Sequence, residues 1–228
     1  MLTPKLINRE APITSQKQLV DYLASGARPE AEWGIGAEME KLVLDARTGA
    51  AAEFSRIEAL LEALAKTGSW RELREGSRLV GLQGEHSSIT IEPGGQLELS
   101  GQLCADLFCN CSDFSKHIVN AVEACSKLDL VLLGLGTQPF SSLDEIEWAP
   151  KARYEILGPF MLKTGDLGQR MMKQSAGVQV ILVFSDEADC MRKLRLALFL
   201  APLLYGLFAN SPLLDGKPSG FLSTRGEI

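Results

Sequence analysis

Basic charge is in short supply. Twenty-three Lys and Arg stand against 29 Asp and Glu, a net charge of −6, and that balance excludes nucleic acid as the main partner. Histidine is scarcer still, with only His86 and His117. Cys109 and Cys111 are one residue apart, which is not a zinc-finger spacing, so no Cys/His metal site can be assembled. Both histidines read as isolated surface or core residues. A long apolar run is also missing. The most apolar stretch, Leu196–Ala209, is shorter than the ~20 residues of a membrane span and contains Pro202, so it reads as a buried helix and no membrane is involved. Met1–Glu10 has no apolar h-region, which excludes a secretion signal. Five cysteines, an odd number, then imply reduced thiols serving as small core residues in a cytoplasmic protein. Gly134-Leu-Gly136 lacks the third glycine of a dinucleotide loop and is followed by Pro139.

What is present is an ordinary globular chain. Its 228 residues, 46% hydrophobic, suffice for one large domain or two small ones, and no stretch has linker composition. Thr14 or Ser15 can cap a helix running to about Ser25. Residues 34–45 read as a strand closed by a turn at Arg47-Thr48-Gly49. Phe54, Ile57, Leu60, Leu61 and Leu64 have the spacing of one helix face, predicting a helix over 53–66. Strands are expected at 78–82 and 87–92 around a Gln-Gly-Glu turn, and at 96–100 after the Pro93-Gly94-Gly95 break. A long helix is expected over 103–128, a buried strand at 130–135, and irregular chain over 137–163, punctuated by Pro139, Pro150 and Pro159. A short helix over 166–173, a strand at 178–184 and a helix over 185–210 complete the pattern. Hairpin-like strands interleaved with helices make the fold class α+β with a mainly antiparallel sheet.

The carboxylates stand out. In Gly34-Ile-Gly-Ala-Glu-Met-Glu-Lys-Leu, Glu38 and Glu40 point to one face of a strand, roughly 7 Å apart. Such a pair repels unless water or a cation neutralises it, and clusters of oxygen donors suit Mg²⁺. A solvated edge strand carries the same pattern. A second segment, Ile89-Thr-Ile-Glu-Pro-Gly-Gly-Gln-Leu-Glu-Leu-Ser-Gly, adds Glu92 and Glu98. Gln96, Glu98 and Ser100 share one face, and the glycines would let backbone approach a ligand closely.

Four ordered segments, IGAEMEKLVL, ITIEPGGQLELSG, APKARYEI and LFANSPLLDGKPSGFLSTR, resemble the glutamate–cysteine ligases of the plant and proteobacterial type. The resemblance runs from about residue 15 to the last residue and implies a glutamine-synthetase-like fold, an antiparallel sheet curved into a funnel. It implies ATP and Mg²⁺ as cofactors, with L-glutamate and L-cysteine as substrates. The γ-carboxylate of glutamate would be phosphorylated and the cysteine amine would attack the acyl phosphate.

Residue by residue, the resemblance makes Glu38, Glu40 and Glu98 metal ligands and gives Glu92 a ligand-orienting place near the cofactor. Arg153 would meet the transferred phosphoryl and Arg225 would hold the glutamate carboxylate, tasks suited to a planar guanidinium. Either arginine taken alone reads as a surface ion pair, the commoner fate of arginine, and only its position within the motif lifts it above that. Gln179 keeps the family's place on a substrate-facing strand. Ile181 and Val183 depart from it, standing where the family carries polar residues. The family continues for about as long again, so residues 1–228 are expected to be a single N-terminal portion of the catalytic domain with an incomplete sheet. Surface left uncovered by a missing half implies self-association. A carboxylate–amine ligase with another amine, and a non-catalytic binding fragment, are the alternatives.

Overall fold

Alternation along Ile35–Asp45 builds the central strand, β1. Met39 and Val43 are buried on one face, while Glu38 and Glu40 turn to the other. The computed structural model describes residues 12–228, so the leader-free reading of Met1–Glu10 lies outside the described residues. Upstream of β1, Ser15 caps helix α1, Gln16–Ala24, in a capping box with Gln18.

After β1 the chain forms α2, Phe54–Ala65, then strands β2, Arg71–Glu75, β3, Arg78–Gln83, β4, Ser88–Ile91, and β5, Leu97–Ser100. Helix α3, Leu107–Ser126, leads into β6, Leu130–Leu133. Helices α4, Ala152–Thr164, and α5, Gly168–Gln174, precede β7, Val178–Leu182, and α6, Glu187–Leu207. Two short strands, β8, Leu213–Leu214, and β9, Lys217–Pro218, and one turn of helix, α7, Thr224–Glu227, follow. The sheet runs β2-β3-β4-β5-β1-β6, with β7 also paired to β1, and every pairing is antiparallel. The expected α+β class is observed, and the helix-flanked antiparallel sheet fits the glutamine-synthetase-like fold.

The core lies between α2, α3 and one sheet face. All five apolar residues read from the helical spacing, Phe54, Ile57, Leu60, Leu61 and Leu64, are buried against Leu82, Ile89, Ile91, Leu97 and Leu99. Each such leucine contributes roughly 1.5–3 kcal/mol by leaving water. Polar ties fix the edges. Asp45 accepts from Arg56 at 2.6 Å and from the Thr48 N–H at 2.8 Å, while Arg56 also donates to the Leu128 and Asp129 carbonyls. The turn after β1, the start of α2 and the α3–β6 corner are thereby joined.

Several expectations are corrected. The segment at 152–164 is helical, not irregular. Pro159 removes one helical hydrogen bond, yet Tyr154 and Gly158 are buried, packing beside Trp148. β2 was not expected because Arg71-Glu-Leu-Arg-Glu carries almost no apolar signal, and it stays exposed on the sheet edge. β6 is only partly buried, with Val131 exposed. The apolar segment at 196–209 is a helix, but it is exposed rather than buried. The cysteines are not all reduced core thiols. Cys104 and Cys109 form a disulfide, because the turn at the Asp106 cap brings their Cα atoms to 5.6 Å. Cys111 is exposed, Cys190 is partly exposed, and only Cys125 is both free and buried.

Candidate active site

Antiparallel register does what the two carboxylate segments could not do separately. Glu40 stands directly opposite Glu98 across β1 and β5, and Glu38 opposite Ser100. Thr90 of β4 lies beyond Glu98, and Gln179 of β7 stands opposite Glu38 on the other side. Partners in register project to the same face, so one polar surface runs across four strands, opposite the core.

This surface is short of counter-charge. Glu98 is buried and accepts from the Ser100 hydroxyl at 2.8 Å. Glu40 accepts from the Gly177 N–H at 2.7 Å and from the Gln179 amide at 3.4 Å. Burial nevertheless pushes the Glu40 carboxyl up to about 7, with Glu98 and Glu92 adding repulsion and the Gly177 N–H opposing. Burial, then Glu98, raises Glu38. Glu92 is raised in the same order of causes, against the pull of Lys151 and Arg153.

Glu92 sits at the Pro93-Gly94-Gly95 break, where its carbonyl accepts from the Gly95 N–H at 2.8 Å and Gly95 takes a φ of 82°. The glycines serve the fold rather than a ligand: a Cβ on Gly94 would lie 2.1 Å from the Lys173 carbonyl oxygen. Gln96, placed on the polar face from sequence, is buried and donates to the Met172 and Ser175 carbonyls, tying the break to α5.

The two arginines approach opposite ends of the surface. Arg153, in the first turn of α4, lies 3.9 Å from Glu92 and donates to the Tyr154 hydroxyl at 2.7 Å. Arg225, on α7, packs its guanidinium against Gly177, 3.0 Å from where a Cβ there would lie, and its charge lowers the Glu40 proton affinity. Beside Arg225 opens a cleft of about 610 Å³, lined by Glu40, Gly136, Gly177 and Tyr205 among others. Sequence reasoning missed Lys151, whose ammonium donates to the Ile91 carbonyl and lies near Glu92. Its place immediately after Pro150, at the helix start, was the available signal. Val183 is buried and therefore structural, whereas Ile181 lies across β1 from Gly36 on the carboxylate face.

All the donors here are oxygens, which suits a hard dication such as Mg²⁺. Among the described residues, no group of three acidic, histidine or cysteine side chains is placed to hold a metal ion. Mg²⁺ does not require one, since it commonly keeps waters and takes one or two carboxylates together with phosphate oxygens. The facing Glu40–Glu98 pair fits that demand.

The model of the glutamate-cysteine ligase family 2 (GCS2) matches residues 34–228. The chain is 41% identical over 217 residues to the chloroplastic glutamate–cysteine ligase of Medicago truncatula, covering 95% of this chain and 42% of the relative. It is 38% identical over 226 residues to those of Brassica juncea and Arabidopsis thaliana, covering 99% of this chain and 44% and 43% of theirs. The chain thus spans less than half the length of these relatives. They also overturn the expectation of a cytoplasmic protein, since each is a chloroplastic protein by name. The cysteine argument behind that expectation has already failed at Cys104 and Cys109.

Proposed function

Because the chain belongs to glutamate-cysteine ligase family 2, we propose that its carboxylate face is part of the site where ATP drives the joining of L-glutamate to L-cysteine, the first step of glutathione synthesis. Residues 1–228 are the N-terminal portion of that catalytic domain. A γ-carboxylate oxygen of glutamate attacks the γ-phosphorus of ATP, and ADP leaves. The cysteine amine then attacks the acyl carbon, the C–O bond to phosphate breaks, and the amine proton is lost as the amide forms.

The observation that carries this reading is the register of Glu40 opposite Glu98, with Glu38 two residues along on the same face. The Glu40–Glu98 pair would hold Mg²⁺, with Glu38 the third carboxylate of the same face, and the metal would supply charge neutralisation for the phosphate oxygens. Glu92 orients Arg153, whose guanidinium meets the transferred phosphoryl. Arg225 clamps a carboxylate of glutamate, and the Gln179 amide, already near Glu40, reaches the substrate. These roles follow from preorganised donors facing the positions where charge develops.

The test is a titration with Mn²⁺, a paramagnetic stand-in for Mg²⁺, in the presence of ATP. Saturable binding is expected, and Glu98→Gln and Glu40→Gln should each weaken it at least ~10-fold, as loss of a charged ligand does. Unchanged binding in both variants would remove the metal role. Phosphate release with a panel of amines separates cysteine from another amine acceptor. Ile181, an apolar residue on the carboxylate face, favours a second reading as a non-catalytic binding chain. Nucleotide binding without any γ-glutamyl product, even with the rest of the ligase supplied, would select it.

A further inference from the structure

The most unbalanced surface lies beside the carboxylates, at β7 and α6. Among the described residues β7 pairs only with β1, and its other edge is open. All five of its residues are exposed, and four of them, Val178, Val180, Ile181 and Leu182, are apolar. An open apolar edge is a template for another strand.

Helix α6 poses the same problem in another form. Leu198, Phe199, Leu203, Leu204, Tyr205 and Leu207 are 65%, 77%, 66%, 45%, 55% and 75% exposed and together point around the helix rather than along one stripe. A helix apolar on all sides belongs inside a core or a bilayer, and no described helix is long and apolar enough to cross a membrane. Its first half is fastened. Lys193 donates to the Val183 carbonyl at 2.8 Å and lies 3.6 Å over the Trp33 ring. On its second half Tyr205 lies beside Gly226, and Ala197, Ala201 and Leu204 line the cleft next to Arg225.

The size of the relatives bears on what covers this face. The chain spans 42–44% of those of Medicago truncatula and Brassica juncea, and the family match runs through α6 and α7. More than half of each relative has no counterpart here. A second copy of this chain would cover one side of α6 through a two-fold contact and leave the others wet.

We propose that the open edge of β7 and the circumference of α6 form one docking face for a polypeptide equivalent to the part of the relatives that this chain does not match, which adds a strand to β7 and encloses α6. The proposal rests on family membership and not on the ligase chemistry, so its test reads binding alone.

The chain is co-expressed with the unmatched part of the Medicago truncatula ligase and the two are examined by sedimentation velocity and amide exchange. A 1:1 complex is expected, with new protection over 178–182 and 196–208. Val180→Lys and Phe199→Asp should each weaken it at least ~10-fold, equivalent to about 1.4 kcal/mol, while Lys116→Glu on α3 leaves it unchanged. Both substituted side chains are exposed, so circular dichroism of the chain alone should not change. No complex between the soluble partners, a complex indifferent to both substitutions, or a homodimer that they abolish would each overturn the proposal. So would unfolding of either variant alone, which would mean that the face is already packed.

Discussion

Glu40 and Gly177 bind each other twice. The Glu40 N–H donates to the Gly177 carbonyl at 2.9 Å, and the Gly177 N–H donates to the Glu40 carboxylate at 2.7 Å. The missing Cβ of Gly177 leaves the space in which the Arg225 guanidinium lies. One glycine therefore sets the spacing between an acidic and a basic side chain of the candidate site.

Gly177→Ala should separate these functions. The new methyl would meet the flexible end of Arg225 at 3.0 Å, so stability should fall by less than about 1 kcal/mol. Displacement of Arg225 should weaken L-glutamate binding ~10-fold or more, the scale of a charge-assisted hydrogen bond. Thermal melting and calorimetric titration with L-glutamate measure the two effects. A large loss of stability with unchanged glutamate binding would place Arg225 outside the site.

Glu40→Gln should stabilise the metal-free protein. The folded carboxyl sits at about 7, above its ordinary value of 4.5. A raised folded value means stability is greatest below the unfolded value and declines as pH rises towards 7. Removing the charge while keeping an acceptor for the Gly177 N–H should add roughly 1–2 kcal/mol at pH 8, solvent screening of this half-buried group reducing the full effect, and little at pH 4. The same substitution should abolish any rise in melting temperature on adding Mg²⁺. Urea titrations at both pH values, with and without Mg²⁺, decide it.

His117 should make the protein acid-sensitive. It is buried on α3 with Nε2 unpartnered, and burial, then the Lys41 ammonium, pushes it down to about 4 from 6.5. A depressed folded value means the unfolded chain takes the proton first, so this contribution is lost as pH falls from about 6.5 to 4. The loss reaches about 3 kcal/mol. His117→Gln should flatten that part of the stability profile relative to the parent, measured by urea midpoints between pH 7 and 4.5.

Gly94→Ala should be among the more damaging small substitutions. Its Cβ would meet backbone, the Lys173 carbonyl oxygen, at 2.1 Å, and neither segment can swing away as a side chain can. A loss of about 2–3 kcal/mol is expected, read as a lower melting temperature together with weaker Mn²⁺ binding, because the break carries Glu92.

Local pattern made much of this legible. Helix α2 followed from apolar spacing, because that helix packs on one side only. The shared face of Glu38 and Glu40 followed from the two-residue period of a strand. Helix α4 was hidden because Pro150 and Pro159 signal breaks locally, whereas its retention depends on Tyr154 and Gly158 packing near Trp148, a contact no local window contains. The exposure of α6 was hidden for the converse reason: apolar composition reports a need for burial, not whether a partner is present.

The order of residues fixed which carboxylates lie on strands, which face each one takes, and where glycine breaks the chain, since these depend on backbone geometry over a few residues. Only the tertiary structure placed β5 beside β1 rather than leaving it beside β4 alone, setting Glu98 against Glu40 and bringing Gly177 and Arg225 to the same end. Strand order and register between segments far apart in sequence are chosen by the burial of Leu97, Leu99 and Val43 in one core, a collective quantity that no short stretch of sequence contains.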